Sequence, residues 1–357
     1  VPERAPMDLY SRETKRGLSL FVKNVFIGDE VRELMPEYLR FIRGLVDSPD
    51  LPLNVSREMV QQHRLITAIR KHLTKKWLGR FAEQLQNKRE DYETFWAEFG
   101  AAIKEGFHYD IDNKDRLEKT LLFRTTKGEG WRSLDEVLAD LPEGQEDLFY
   151  LSGDSLETAR NAPQLEIFRS KDVEVLLLTD PIDEILVGSA MALREKTLKS
   201  VTRGDIDVSK LGAGADAQDG DDSDDSDAAS DDEGIKPLLD KLGAVLEARV
   251  EKVQVSTRLT DSAACLITPE NGITPQMERM FKAMGQEAPP SKRLLELNPG
   301  HDLVKKLRAL YEADADDARI GTYAELLVDQ ALLSEGGQLE DPHAFARRVT
   351  EVMAAAL

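Results

Sequence analysis

The chain has 357 residues, a net charge of −20 and an isoelectric point near 4.8, with 41% hydrophobic and 32% charged residues. That length and composition allow two or three ordinary domains with packed cores and a well-solvated surface. The acidic balance argues against a binder of nucleic-acid backbone or of an anionic membrane surface, both of which need clustered positive charge.

The single cysteine, Cys265, rules out an intrachain disulfide. It sits in an apolar strand-like run, Ala263–Ile267, and reads as an inert core thiol in a reducing, cytoplasmic compartment. No stretch reaches the apolar length of a membrane span. The opening, Val1-Pro2-Glu3-Arg4, is no signal peptide and does not begin with Met, so it reads as the cut end of a longer chain.

Residues 1–87 read as strand, loop and long helix. Leu18, Leu20 and Val22 alternate with Ser19, Phe21 and Lys23, the pattern of a strand with one better-buried face. From Leu45 to Gln62 runs LVDSPDLPLNVSREMVQQ. Its prolines keep Ser48–Leu53 extended, and Asn54 or Ser56 offers an N-cap. Met59, Ile66, Ile69, Leu73, Trp77, Phe81 and Leu85 then mark one face of a long helix. Arg57 and Gln61, one turn apart beside a loop, are residue types that can meet a phosphate, although an Arg in a first helical turn is more often simply solvated.

Residues 88–204 read as helices followed by a βαβ unit. Tyr92, Phe95, Trp96, Phe99 and Ile103 form a core stripe. Short helices are predicted at 117–123 and 133–141. A strand at 148–151, a helix capped by Gly153-Asp154-Ser155 and a second strand at 173–178 complete the unit. The triplet lacks the flanking pattern of a phosphate cradle.

Residues 205–234 have the composition of a disordered acidic linker. The part from Gly212 to Gly234 holds nine Asp and one Glu without Lys or Arg, half of the net charge. Beyond it, 235–248 is helical, 253–257 and 263–267 read as paired strands, and three amphipathic helices close the chain. Ile273, Met277 and Phe281 fall at four-residue steps with Met280 and Met284 beside them, a Met-rich stripe that reads equally as an adaptable surface or a buried face. Tyr323, Leu326, Leu327 and Leu333 lie on one terminal helix. Phe345, Val349 and Val352 lie on the next, after the cap Asp341-Pro342. A hairpin of two such helices pairs either with its own strands or with a two-fold copy.

No metal is implied. His63 and His72 are nine residues apart on one helix, and Asp110-x-Asp112 fails as a calcium loop because Lys114 and Asp115 follow. No nucleophile elbow or other self-contained catalytic pattern is present. The residues alone leave three readings open: a chaperone fragment, an α/β enzyme with a small-molecule site, and a non-enzymatic dimeric scaffold or adaptor.

The wording of several stretches narrows the choice. LVDSPDLPLNVSREMVQQ resembles the signature of the middle domain of the heat shock protein 90 chaperones. So do Arg4-Ala5-Pro6-Met7-Asp8-Leu9-Tyr10, Leu20–Ile27, Ile69-Arg70-Lys71 and Asp180-Pro181-Ile182-Asp183-Glu184. Ser256-Thr257-Arg258-Leu259-Thr260-Asp261-Ser262 and Leu295-Glu296-Leu297-Asn298-Pro299 resemble the C-terminal domain of the bacterial branch.

The resemblance implies an α/β (α+β) fold. Residues 1–87 would be a truncated large middle subdomain in αβα layers, and 88–204 a smaller α/β subdomain joined by helices. After the linker, 205–234, a mixed α/β dimerisation domain would occupy 235–357. It also implies an ATP-dependent chaperone that remodels unfolded or partly folded clients as a homodimer, with co-chaperones as further partners. Nucleotide and Mg2+ would be held mainly by a preceding domain, which this fragment lacks, so the fragment itself would neither bind a cofactor nor hydrolyse ATP. In that frame Arg57 reaches the γ-phosphate and Gln61 supports its loop. Ile273, Met277, Met280, Phe281 and Met284 contact clients, as do Glu184 and Ile185, where bacterial relatives often carry Trp instead of Ile185. The two terminal helices make the dimer contact. The acidic linker departs from the usual family sequence.

Overall fold

In the computed structural model the described residues are 1–6, 9, 17–52, 64–204, 206, 211, 226–283, 285–287, 289 and 291–356. Side chains are described except at 226–233, 279–280, 282–283 and 356. The fold is mixed α/β, as the resemblance implies, and divides into two compact units. The first comprises Val1–Phe123, Trp131–Ala139 and Ile182–Glu195. The second comprises Arg124–Gly130, Asp140–Pro181 and Lys196–Leu357.

In the first unit β1 (Leu18–Val22) pairs antiparallel with β2 (Val25–Val31) and parallel with β3 (Leu45–Asp47). The alternation expected in β1 is present: Leu18, Leu20 and Val22 are buried and the intervening residues are half-buried. The long helix, α1 (Arg64–Asn87), buries Ile66, Leu78, Phe81 and Leu85. Its partner α2 (Arg89–Lys104) buries Tyr92, Trp96, Phe99 and Ile103, and these aromatics are core as predicted. Phe41 joins them, with ring centroids 4.6 Å from Phe99 and 6.2 Å from Phe81. Two buried cations anchor the unit. Arg40 pairs with Glu105 at 2.6 Å and donates to the Leu9 carbonyl, and Lys104 pairs with Asp183 at 2.7 Å. Asp183 belongs to α3 (Ile182–Ala190), so this carboxylate of the quoted Asp180–Glu184 stretch fastens α3 to α2.

The predicted helix at 117–123 is instead a helix Lys114–Glu118 followed by a strand Leu122–Thr125. Leu121, Leu122 and Phe123 are consecutive and all buried, and such a run cannot be told from a buried helix by periodicity. The helix expected near 133–141 is Leu134–Ala139, closed by a capping box. The Ser133 N–H donates to Glu136 Oε2 at 2.6 Å, and the Glu136 N–H donates to Ser133 Oγ at 3.2 Å.

The second unit contains the predicted βαβ unit. β4 (Asp147–Ser152) runs parallel to β5 (Val175–Leu178) and to β6 (Lys196–Ser200). The intervening helix Leu156–Arg160 begins at Ser155, whose Oγ accepts from the Thr158 N–H at 3.1 Å, so Gly153-Asp154-Ser155 is the plain cap that was expected.

A three-stranded sheet follows. β7 (Val250–Val255) and β8 (Ala264–Ile267), expected to pair, are separated by β9 (Arg293–Leu297), which is parallel to β7 and antiparallel to β8. The central position of β9 follows from burial on both faces. Leu295 and Leu297 join one core with Leu266, while Leu294 packs beside Cys265 and Ile267 on the other. The helix expected at 235–248 is longer at its start. It is α4 (Ser226–Val245), whose first residues belong to the acidic segment. Its Leu238, Leu239 and Leu242 pack into the first of these cores.

On the second face lies a buried ion pair. Glu296, opposite Cys265 in register, meets Arg258 Nε at 2.9 Å, and the two side chains are 4% and 2% exposed. Ser256 Oγ also donates to Glu296 at 2.9 Å, and Arg258 donates to the Val201 carbonyl at 2.7 Å. The same loop wraps Glu166, which accepts from the N–H groups of Thr260, Asp261 and Ser262 at 2.7, 2.8 and 3.1 Å. Burial alone would raise the Glu166 pKa, but these donors hold it below the usual carboxylate range. Its contribution to stability is therefore present above the ordinary glutamate pKa and is lost as pH falls through the folded value. The long quoted stretch Ser256–Ser262 is thus a clamp for two carboxylates. Burial also raises the Cys265 thiol pKa far above its ordinary value, as expected of an inert core thiol.

Glu296→Gln leaves the Arg258 charge uncompensated and should cost about 3–5 kcal/mol. Labelling of Cys265 by a thiol reagent across a urea titration measures it. The midpoint should fall sharply, and an unchanged midpoint would contradict the role given to the pair.

Candidate functional site

Arg57 and Gln61 lie outside the described residues, as does Met284. The remaining candidates fall on three surfaces.

The first surface is α5 (Pro275–Ala283) in the second unit. Thr274 starts this helix, its Oγ1 accepting from the Met277 N–H at 3.2 Å. Gly285, at φ +71°, follows its end, where the Gln286 N–H reaches the Phe281 carbonyl at 2.9 Å. The first turn is fixed to the unit by Gln276, whose Nε2 donates to the Ser152 carbonyl at 2.5 Å. Ile273, Met277 and Phe281 are half-buried, between the two readings the spacing allowed. Met280 lies on the same helix.

The second surface is α3 in the first unit, where Glu184 and Ile185 are half-buried beside the buried Asp183 and Leu186. The Lys104–Asp183 pair fixes the helix from beneath. Met191, just beyond its end, is 73% exposed and held at φ +50°.

The third surface is the terminal helical pair in the second unit. After α6 (Asp302–Ala313), α7 (Ala318–Ser334) buries Ile320, Ala324, Leu327, Val328 and Ala331 in its own chain's core. Leu327, placed by the sequence on the dimer face, is 1% exposed and belongs to that core, so a second copy can add almost nothing to its burial. Tyr323 and Leu326 are half-buried and Leu333 is 44% exposed. α8 (Pro342–Ala356) packs on α7 and is capped as predicted, the Ala344 N–H donating to Asp341 Oδ1 at 2.9 Å. That bond and the His343 N–H hold the Asp341 carboxyl below its usual range. Arg348 ties α8 to Asp329 at 3.2 Å and lies 3.8 Å from Glu325. Arg249 meets the same two carboxylates at 2.7 and 2.6 Å. Phe345, Val349 and Val352 stay half-buried and Met353 is 64% exposed.

Sequence reasoning missed the charges under these surfaces. Arg348, Arg249 and Asp329 carried no local signal, because their partners stand on other elements. Among the described residues there is no group of His, Cys, Asp and Glu that could hold a metal. None of the described helices is long and apolar enough to cross a membrane.

The family model described as Hsp90 protein matches residues 1–357. The chain is 44% identical to the chaperone protein HtpG of Magnetococcus marinus over 99% of this chain and 54% of that relative. It is equally similar to the HtpG proteins of Methylococcus capsulatus, over 99% of this chain and 54% of the relative, and of Frankia casuarinae, over 100% and 54%. The chain thus spans about half the length of the curated relatives it matches.

Proposed function

The chain belongs to the Hsp90 family, and from that premise we propose that it supplies the client-binding and dimerising parts of an ATP-dependent molecular chaperone acting in the cytoplasm. The observation that carries this reading is the state of α5. Its Met277 and Phe281 are neither fully packed nor fully solvated, on a helix whose first turn is tethered by Gln276. A flexible thioether and an aromatic ring on such a helix can meet unfolded apolar segments of many shapes. Glu184 and Ile185 of α3 supply a second contact for the same clients. A scaffold that only dimerised would leave α5 without a role. Co-chaperones would dock on the assembled protein.

The expected property is suppression of aggregation. The purified chain should slow light scattering by a heat-unfolding protein, and Met277→Glu with Phe281→Glu should remove most of that effect while circular dichroism stays unchanged. Undiminished suppression by a folded double variant would reject α5 as the client surface. Loss of the fold would make the stripe structural.

For ATP, the guanidinium of Arg57 and the amide of Gln61 fit contact with a phosphate and not residence of a metal, which would arrive with the nucleotide held by a preceding domain. The bound nucleotide supplies the phosphoryl group. Arg57 would stabilise charge developing on it, and Gln61 would steady the loop that carries Arg57. In the full-length protein Arg57→Ala should slow ATP turnover at least about tenfold, and an unchanged rate would remove the assignment.

For the dimer, Phe345, Val349, Val352 and the exposed Met353 of α8, with Tyr323, Leu326 and Leu333 of α7, would meet a two-fold copy and close a four-helix bundle. Because α7 is part of the core, the informative cut removes 342–357 alone. Sedimentation should then show a monomer where the intact chain is dimeric. A dimer surviving that cut would place the interface elsewhere.

A further inference from the structure

Among the described residues, the large apolar side chains most open to solvent are Ile111 at 82%, Met191 at 73% and Tyr109 at 71%. All three belong to the first unit, and polar contacts bring their segments to the C-terminal end of α3. Met191 directly follows that helix. His108 Nδ1 lies 3.2 Å from Ser189 Oγ, and the Tyr109 ring meets the His108 ring edge-on at 4.7 Å. Lys114 Nζ donates to the Ala190 carbonyl at 3.1 Å, so the Ile111–Asn113 turn lies between two anchors on α3. Single exposed apolar residues need no explanation, but a group of them marks an interaction surface.

The backbone at Met191 is a second, independent observation. The residue sits at φ +50° just past a helix end, where glycine is usual because a Cβ in the left-handed region is strained. Its N–H donates to the Val187 carbonyl at 3.2 Å. The chain is left-handed again at Arg194 and Glu195, and Arg194 is pinned by Glu118 at 3.2 Å and Asp135 at 3.0 Å. Met191 thus bears backbone strain and gains little burial, so folding alone does not account for a methionine there. Strain of this kind gathers at ligand contacts. Ile185 precedes Met191 by six residues, about 9 Å along the helix axis at 1.5 Å per residue. An extended peptide covers that distance in about three residues. We propose that Met191, Tyr109 and Ile111 continue the client contact of Glu184 and Ile185, and that its ligand is an extended, unfolded segment carrying large apolar side chains. This rests on the chaperone reading. A thioether, an aromatic ring and a branched chain together accept apolar partners of varied shape.

The probe is a permanently unfolded protein, reduced and carboxymethylated lactalbumin, titrated with the intact chain by fluorescence anisotropy. Met191→Gly should weaken binding at least about threefold, and Tyr109→Gln with Ile111→Gln at least about tenfold, from the apolar area no longer buried. Met191→Gly should also leave the urea midpoint unchanged or higher, because glycine relieves the strain. Phe26→Gln with Leu45→Gln removes two other exposed apolar side chains of the first unit and should leave binding unchanged. Binding unaltered by either test variant, while Met277→Glu with Phe281→Glu weakens it, would overturn this surface and leave the chaperone reading standing. An intact chain that does not bind the unfolded protein would overturn both. A lower midpoint for Met191→Gly would make the methionine structural. Equal weakening by the Phe26 and Leu45 changes would reduce the effect to general apolar exposure. Sedimentation altered by the test variants would assign the patch to a contact between copies. Each of these three results would also overturn the proposal.

Discussion

The second unit depends on how one loop, Ser256–Ser262, disposes of two carboxylates. Glu296 is carried into the interior by the central strand of a sheet whose other fully buried residues are apolar. A carboxylate there is tolerable only if it is paired and hydrogen-bonded. Arg258 and Ser256 do both, and Arg258 in turn reaches the carbonyls of Val201 and Arg203, at the end of the βαβ unit. The N–H groups of Thr260, Asp261 and Ser262 converge on Glu166, and the Arg258 carbonyl accepts from the Ile167 N–H at 3.1 Å. A stretch of seven residues thus ties the 166–170 helix, the segment after β6 and the central strand of the next sheet into one body.

What is presented outward follows from that body. α5 enters after β8 and is held through Gln276 to the end of β4, so its half-buried stripe has a fixed base. α7 covers the same sheet, with Leu327 and Val328 in its core, and α8 rests on α7 through Arg348. The two proposed functional faces of this unit therefore share one support, and an adaptable surface is set on rigid neighbours. In the first unit the Lys104–Asp183 pair does the corresponding work beneath α3.

Much of this was legible in the residues. Helices with a repeating apolar face, such as α2 with Tyr92, Trp96, Phe99 and Ile103, fall where the 3.6-residue period places them. The capped turn at Ser155 and the Asp341 cap were read from residue type alone. The long stretches at 256–262 and 295–299 identified the family but not their own role. A charge pair between positions 258 and 296, or an anion nest between 166 and 260–262, has partners too distant in sequence for any local pattern to join them. β9 was missed for a related reason: Arg293 and Glu296 interrupt its apolar run, and only their ion pairs make them compatible with a central strand. Leu327 was misplaced because α7 is apolar around much of its circumference, and periodicity does not say which side faces the chain's own sheet.

Native-state hydrogen exchange tests the clamp most directly. If the loop ties these segments together, the amides of Thr260, Asp261 and Ser262, those of β8 and those of Glu166–Ser170 should exchange through one common opening with the same free energy. The Glu166→Gln variant should release the 260–262 amides and the 166–170 helix together. Exchange of that helix through a separate, lower-energy opening, unaffected by Glu166→Gln, would contradict the account.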